Sequence, residues 1–306
     1  MQSPFAADNA DPAPKSKPMT RFVIVTPVMN GADFIAANLA SVAAQTDPDW
    51  VHYLVDGGST DGTLDIIKVA VASDPRRRLI SGPDRGLYDA VFKGFDQAAA
   101  DGIVTAATIF AWLGADDLLM PWAVATLGQQ FDETGADWMT ALPAIWDFAG
   151  RQVVVQPSNW YPRRWIRAGL FNNWALGAIQ QECTFFTYGL LTKLSAAATE
   201  QIRTSRYAGD FLLWREFASH TALVPIPATV AGFRKHGANL STVGADAYLR
   251  EIRESGGTVL PRWVSRISRL VYRPLATLAT ASNFRKSCLR FEADSFRSPS
   301  MDRARP

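Results

Sequence analysis

Short apolar runs alternate with helical periodicities along the first third of the chain. Arg21-Phe22-Val23-Ile24-Val25-Thr26-Pro27 is a β-branched run stopped by proline, which predicts a buried strand. Phe34, Ile35, Leu39 and Val42 then recur at helical spacing and predict a helix over residues 34–45. A second strand is expected from Trp50 to Val55, closed by Asp56-Gly57-Gly58, and a helix from Leu64 to Val71. Leu79-Ile80 reads as a short third strand, Tyr88 to Ala100 as a helix, and Thr108 to Leu113 as a fourth strand ending at Gly114-Ala115-Asp116-Asp117. Strand and helix in alternation imply an α/β fold with a mostly parallel, Rossmann-like sheet and flanking helices. From Asp137 onward, short strands, loops and tryptophans suggest a smaller sheet completing a site. In parallel sheets ligands bind beyond the carboxyl ends of the strands. Those ends carry Thr26, Asp56, Gly82 to Arg85 and Asp116/Asp117, so four polar clusters are expected to converge on one crevice.

Composition narrows the classes. With 48% hydrophobic and 20% charged residues over 306 positions, disorder along the whole chain is excluded. The first twenty residues are rich in Ala, Asp and Pro and are expected to form a disordered leader, with no apolar core that would make them a signal peptide. The longest apolar run, Gly102 to Ala115, is too short to span a bilayer. Two cysteines, Cys183 and Cys288, make no disulfide framework, so a reducing, cytoplasmic setting is expected. Three histidines argue against a structural zinc.

A net charge of +2 excludes a general nucleic-acid binder, but it conceals an asymmetry: Arg250 to Pro306 carries +7 and the remainder −5. After Leu260-Pro261, an apolar stripe of Trp263, Val264, Ile267, Leu270 and Val271 is interleaved with Arg262, Arg266, Arg269 and Arg273. Such a basic amphipathic helix either lies on a membrane surface, at the inner face if the protein is cytoplasmic, or packs on protein. Pro274 is expected to end or kink it.

Two motifs carry candidate chemistry. Asp56-Gly57-Gly58-Ser59-Thr60-Asp61-Gly62-Thr63 follows a strand; Asp56 either faces the crevice to accept hydrogen bonds from a base or ribose, or belongs to a plain capped turn. Asp116-Asp117 ends an apolar strand, where two adjacent carboxylates repel one another and resist burial. A divalent cation, Mn²⁺ or Mg²⁺, would relieve both problems and take its other ligands from substrate phosphates. The alternative is that one of the pair caps a helix begun by Pro121. Neither a G-x-G-x-x-G nor a Walker-type loop is present.

Seven segments occur together in the order and spacing of family 2 glycosyltransferases: Thr26-Pro27-Val28-Met29-Asn30, the 56–63 turn, Pro83-Asp84-Arg85-Gly86-Leu87-Tyr88-Asp89-Ala90, Trp112 to Asp117, Gln181 to Phe186, Asp210 to Arg215 and Phe233-Arg234-Lys235-His236. The resemblance covers roughly Arg21 to Ser241. It implies a GT-A fold over residues 21–245, which leaves residues 246–306 as the basic amphipathic C-terminal helical segment and tail already read from their pattern. It further implies inverting sugar transfer from a nucleotide-diphospho-sugar, of UDP or dTDP type, to a hydroxyl of a glycan or lipid-linked acceptor. Carried over by position, Thr26, Pro27, Asn30, Asp56, Arg85 and Asp116 would meet the donor nucleotide, and Asp117 with His236 the metal. Asp210 would be the general base, while Gln181, Glu182, Trp214, Arg215 and Arg234 would lie near acceptor or phosphates. Two features depart from the family pattern: Phe92 stands where relatives carry an asparagine, and residues 106–109 look lengthened. The rival readings are an inert scaffold of the same fold, against which Asp56, Asp116, Asp117 and Asp210 stand together, and a nucleotidyltransferase, whose basic phosphate loop after the first strand is missing.

Overall fold

The computed structural model describes residues 20–287 apart from Ser158 and Ala238; the expected leader up to residue 19, Cys288 and the rest of the tail lie outside the described residues. Strand β1 (Phe22–Val28) is buried at every position. Helices cover both of its faces, which explains an unbroken apolar run in place of an alternation. Beside it run β2 (Trp50–Asp56), β3 (Arg77–Ser81) and β4 (Ile109–Trp112), all parallel, in the order β4-β1-β2-β3. The crossovers are α1 (Ala32–Ala43), α2 (Thr63–Ser73) and α3 (Leu87–Ala100), close to the bounds expected from periodicity.

The second half adds β5 (Leu118–Leu119), α4 (Ala123–Thr134), β6 (Trp138–Thr140), β7 (Ala144–Trp146), β8 (Gln152–Val155), α5 (Arg163–Arg167) and β9 (Thr184–Thr187). After these come α6 (Tyr188–Leu191), α7 (Ala196–Thr204), α8 (Gly209–His220), β10 (Val224–Pro225), β11 (Ala231–Arg234), α9 (Leu240–Val243), α10 (Ala245–Glu254) and α11 (Arg262–Ser287). Strands β9, β6 and β10 extend the first sheet to seven strands, with β9 antiparallel to both neighbours. A smaller sheet, in the order β5-β11-β7-β8, forms alongside it.

An aromatic stack ties the two halves together. Trp214 lies between Trp112 and Trp138, with ring centroids 5.5 and 5.6 Å away, and Phe217 and Phe186 close the cluster. Trp214 is therefore a core residue and not, as expected, one that faces an acceptor or phosphate site. Trp138 and Trp146 are also buried. Trp160 and Trp165 instead build the seat of α11, where Trp165 meets Tyr272 at 5.5 Å. Helix α11 runs on through Pro274 and does not end there. Proline costs it a backbone hydrogen bond, but Tyr272 and Ala276, both buried against the body, anchor it on either side. Among the described residues no helix is long and apolar enough to cross a membrane.

Candidate active site

A cavity of about 550 Å³ opens beyond the carboxyl ends of β1 and β4. Its wall after β1 is Pro27 to Gly31. Asn30 there adopts φ 54°, a left-handed conformation that asparagine tolerates better than most residues. Its Oδ1 accepts from the Thr60 N–H at 2.9 Å, and its own N–H donates to Ser59 Oγ at 2.9 Å. Asp61 and Thr63 accept from the N–H groups of Ala32 and Gly31. The 56–63 turn is thus laced to the loop after β1 and fixes the shape of the cavity wall.

Three residues expected at the donor base do not line the cavity. Thr26 is fully buried, with its hydroxyl 2.8 Å from His52 Nε2, and it does not line the cavity. Burial holds that imidazole neutral, lowering its pKa to about 3. Asp56 is also fully buried; its carboxylate accepts from the N–H groups of Gly58 and Ser59 and from the Ser81 hydroxyl. A buried carboxylate takes the nearest donors, and here the tight turn supplies them. Arg85 pairs with Glu200 at 2.6 Å and Asp89 at 3.2 Å, tying the loop after β3 to α7, while its neighbours Asp84 and Gly86 face the cavity.

The paired aspartates are at the centre. Asp116 Oδ2 accepts from Asn239 Nδ2 at 3.1 Å and lies 2.8 Å from His236 Nε2. Asp117 Oδ1 accepts from the Arg234 N–H at 2.9 Å. The other two oxygens converge: a Cβ placed on Gly114 would lie 2.7 Å from Asp116 Oδ1 and 2.8 Å from Asp117 Oδ2. Glu182 adds a third carboxylate, whose buried Oε2 has no hydrogen-bond partner. Burial first, then Glu182 and Asp116, pushes the Asp117 pKa well above the carboxylate range, and burial with Asp116 and Asp210 nearby takes Glu182 to about 7. Excess negative charge around two converging oxygens is a donor set that fits a hard divalent cation bound by one or two carboxylates and substrate oxygens. Among the described residues no three His, Cys, Asp or Glu side chains form a complete cage. His236 is turned toward Asp116 and stacked on Phe34 at 4.5 Å.

Asp210 lines the cavity from the first turn of α8. Tyr88 Oη is 3.2 Å from its Oδ1, and the Phe211 N–H donates to the same oxygen. Burial outweighs these bonds and raises the carboxyl pKa to about 6. The phenol of Tyr88 is itself pushed well above its usual value by burial and by Asp210, so it stays a proton donor. Gly209 makes this contact possible, because a Cβ there would lie 2.5 Å from the Tyr88 ring. Gly209→Ala is therefore expected to displace Tyr88 and lower kcat about 10- to 100-fold. Steady-state kinetics checks the loss, and an unchanged kcat would contradict the role given to the contact.

The remaining expected residues divide. Gln181 and Glu182 line the cavity, and Gln181 Nε2 donates to the Trp112 carbonyl. The Arg234 guanidinium is buried over the Phe34 ring and does not line the cavity. Arg215 points away from it, donating to the carbonyls of Arg167 and Ser255, because it lies one position round the helix from the core-facing Trp214. Phe92, the departure in the third motif, is buried beneath the Arg203 guanidinium.

Four residues had no assigned role: Tyr88, Phe34, Asn239 and Glu251. Tyr88 falls in the Pro83 to Ala90 segment, so its position carried a signal. The others meet the site only through the fold. Glu251 accepts from the Ser205 hydroxyl and from the N–H groups of Arg206, Tyr207 and Ala208, clamping the turn that delivers Asp210.

A parallel-centred sheet with paired aspartates over a cavity, completed by a smaller sheet, is the GT-A arrangement of glycosyltransferases. Solved structures agree on the fold. TarS of S. aureus in complex with UDP-GlcNAc aligns with a TM-score of 0.57 at 14% identity, over 90% of this chain and 78% of that one. The mannosyltransferase PcManGT of Pyrobaculum calidifontis, in complex with GDP-Man and Mn²⁺, gives 0.55 at 17% identity, over 95% and 82%. The family described as glycosyl transferase family 2 matches residues 23–180, just over half of the chain, and the chain belongs to that family. Proteins of Mycobacterium bovis and Mycobacterium tuberculosis named PGL/p-HBAD biosynthesis glycosyltransferase are 41% identical over 99 residues. That match spans 32% of this chain and 36% of theirs.

Proposed function

We propose that the protein transfers a sugar from a nucleotide-diphospho-sugar to an acceptor hydroxyl with inversion, assisted by Mn²⁺ or Mg²⁺, in polysaccharide or glycolipid assembly. The observation that carries this reading is the Asp210 carboxylate, on a separate helix, facing the same cavity as the converging oxygens of Asp116 and Asp117. A base set apart from an anionic cradle suits a single in-line displacement.

In this reading the loop Pro27 to Asn30 holds the nucleotide, with Asp84 across from it. Asp116 and Asp117 would hold the cation, with Asn239 and His236 fixing Asp116 and the Arg234 N–H fixing Asp117. A cation held there would supply charge to offset that building on the leaving diphosphate. Asp210 takes the acceptor hydroxyl proton as the oxygen attacks the anomeric carbon, and Tyr88 keeps the carboxylate in place. Gln181 and Glu182 border the acceptor and sugar. A nucleotide-sugar donor is further supported by the UDP-GlcNAc and GDP-Man bound in the two structural neighbours. The UDP or dTDP preference expected from Asp56 and Arg85 has no support from the cavity lining, since both side chains are engaged by protein partners.

Calorimetric binding of a panel of UDP-, dTDP- and GDP-sugars, with Mn²⁺ and with chelator, tests the proposal. One donor is expected to bind, at least about tenfold more weakly without the cation. Binding of no donor in either condition would leave an inert scaffold as the better reading.

A further inference from the structure

We infer that the outward face of α11 is a docking surface for an anionic lipid bilayer. Small and aromatic residues on one side of the helix, Ser265, Tyr272 and Ala276, are buried against the body. There Ser265 Oγ donates to the Ala175 carbonyl at 3.0 Å, and Tyr272 packs on Trp165 and Phe171. This docking leaves the apolar stripe facing outward: Trp263 is 67% and Leu270 73% exposed, with Ile267, Val271, Leu275 and Leu278 also exposed. A helix packed on its own protein buries its apolar stripe; α11 buries the opposite side.

Charge identifies the occupant. The helix carries six basic and no acidic residues. At about 100° per residue, Arg262, Arg266 and Arg273 fall along one flank of the stripe, between it and the buried side. In that position they meet headgroups while Trp263 and the leucines enter the acyl boundary. A second copy of this chain fits poorly, because an antiparallel two-fold pairing through this face would bring two arginine flanks together. The helix is too polar to cross the bilayer, so it lies on the surface. Leu260, just before α11, donates its N–H to the Trp174 carbonyl, and Trp174 packs against Tyr248 of the cavity wall. The surface helix thus begins within two residue contacts of the cavity. The inference is independent of the transfer reaction.

Co-sedimentation of the full chain with phosphatidylcholine vesicles, with and without phosphatidylglycerol, tests it. Binding is expected to be at least about tenfold stronger with the anionic lipid and to weaken with salt. W263S/L270S/L278S and R262E/R266E should each lose about tenfold or more of that binding. Both should keep the wild-type melting temperature and nucleotide binding, since these side chains are exposed. Undiminished binding by either variant, equal binding to neutral vesicles, or failure of the wild type to bind would overturn the inference. So would a wild-type dimer in analytical ultracentrifugation that W263S/L270S/L278S dissociates.

Discussion

Asp210→Asn is expected to lower kcat about 10²- to 10⁴-fold, the usual worth of a general base, while leaving donor affinity within about twofold. The carboxylate sits in the first turn of α8, bonded to Tyr88 and to the Phe211 N–H. Asparagine keeps the acceptor oxygen for both and loses only the capacity to take a proton. The loss should therefore appear in kcat and not in donor binding. The pH profile sharpens the claim. Burial raises the Asp210 pKa to about 6, so the active, ionised fraction grows as pH rises through that value. Below it, wild-type kcat/KM should fall by about tenfold per pH unit. The residual activity of Asp210→Asn should lose this one-proton dependence, while Glu182 and Asp117 in the same cavity continue to titrate. A variant profile identical in slope and position to that of the wild type would assign the base elsewhere.

Asp117→Asn should remove cation-dependent activity, with kcat/KM down at least about 10²-fold, because the diphosphate loses its charge clamp. Stability should move the other way. Asp117 is buried beside Asp116 and Glu182, and its folded pKa is raised above the unfolded value. A carboxyl so shifted binds its proton more tightly when folded, so its ionisation weakens the metal-free fold as pH rises from the unfolded pKa toward the folded one. At neutral pH the amide removes that penalty and still accepts from the Arg234 N–H. The metal-free variant should melt no lower than the metal-free wild type, and added Mn²⁺ should raise the melting temperature of the wild type alone. A variant that Mn²⁺ stabilises as much as the wild type would contradict the metal role of Asp117.

The parallel core was legible because β1, β2 and β4 are mostly apolar runs and β3 keeps the Leu79-Ile80 pair, with helical spacings between them; Pro27, expected to stop β1, lies one residue inside it. Residue position at a strand end was legible as well; side-chain direction was not. Thr26 and Pro27 are adjacent on β1, yet Pro27 meets the cavity and the Thr26 hydroxyl meets His52. Asp56 was legible as a strand-end carboxylate, but the turn donors that claim it depend on a loop conformation with Gly58 at φ 97°. Of the two partners of Arg85, Asp89 is local but Glu200 lies 115 residues away, beyond any local pattern. Helix α8 carried a readable signal that motif position overrode. Asp210, Trp214 and Phe217 share one helical face, so Trp214 belongs to the core, and the base stands at the end of the buried stripe that raises its pKa. The outward stripe of α11 was legible as amphipathic, but which side docks on the body follows from the seat that Trp165 and Phe171 provide.

The most direct test of the transfer reading is the anomeric configuration of the product, followed by proton NMR as an α-linked donor identified in the panel is consumed with Mn²⁺ present. A β-configured product appearing first is the predicted result, since Asp210 acts as base in one displacement. An α-configured product, or no consumption of a donor that binds, would contradict the account.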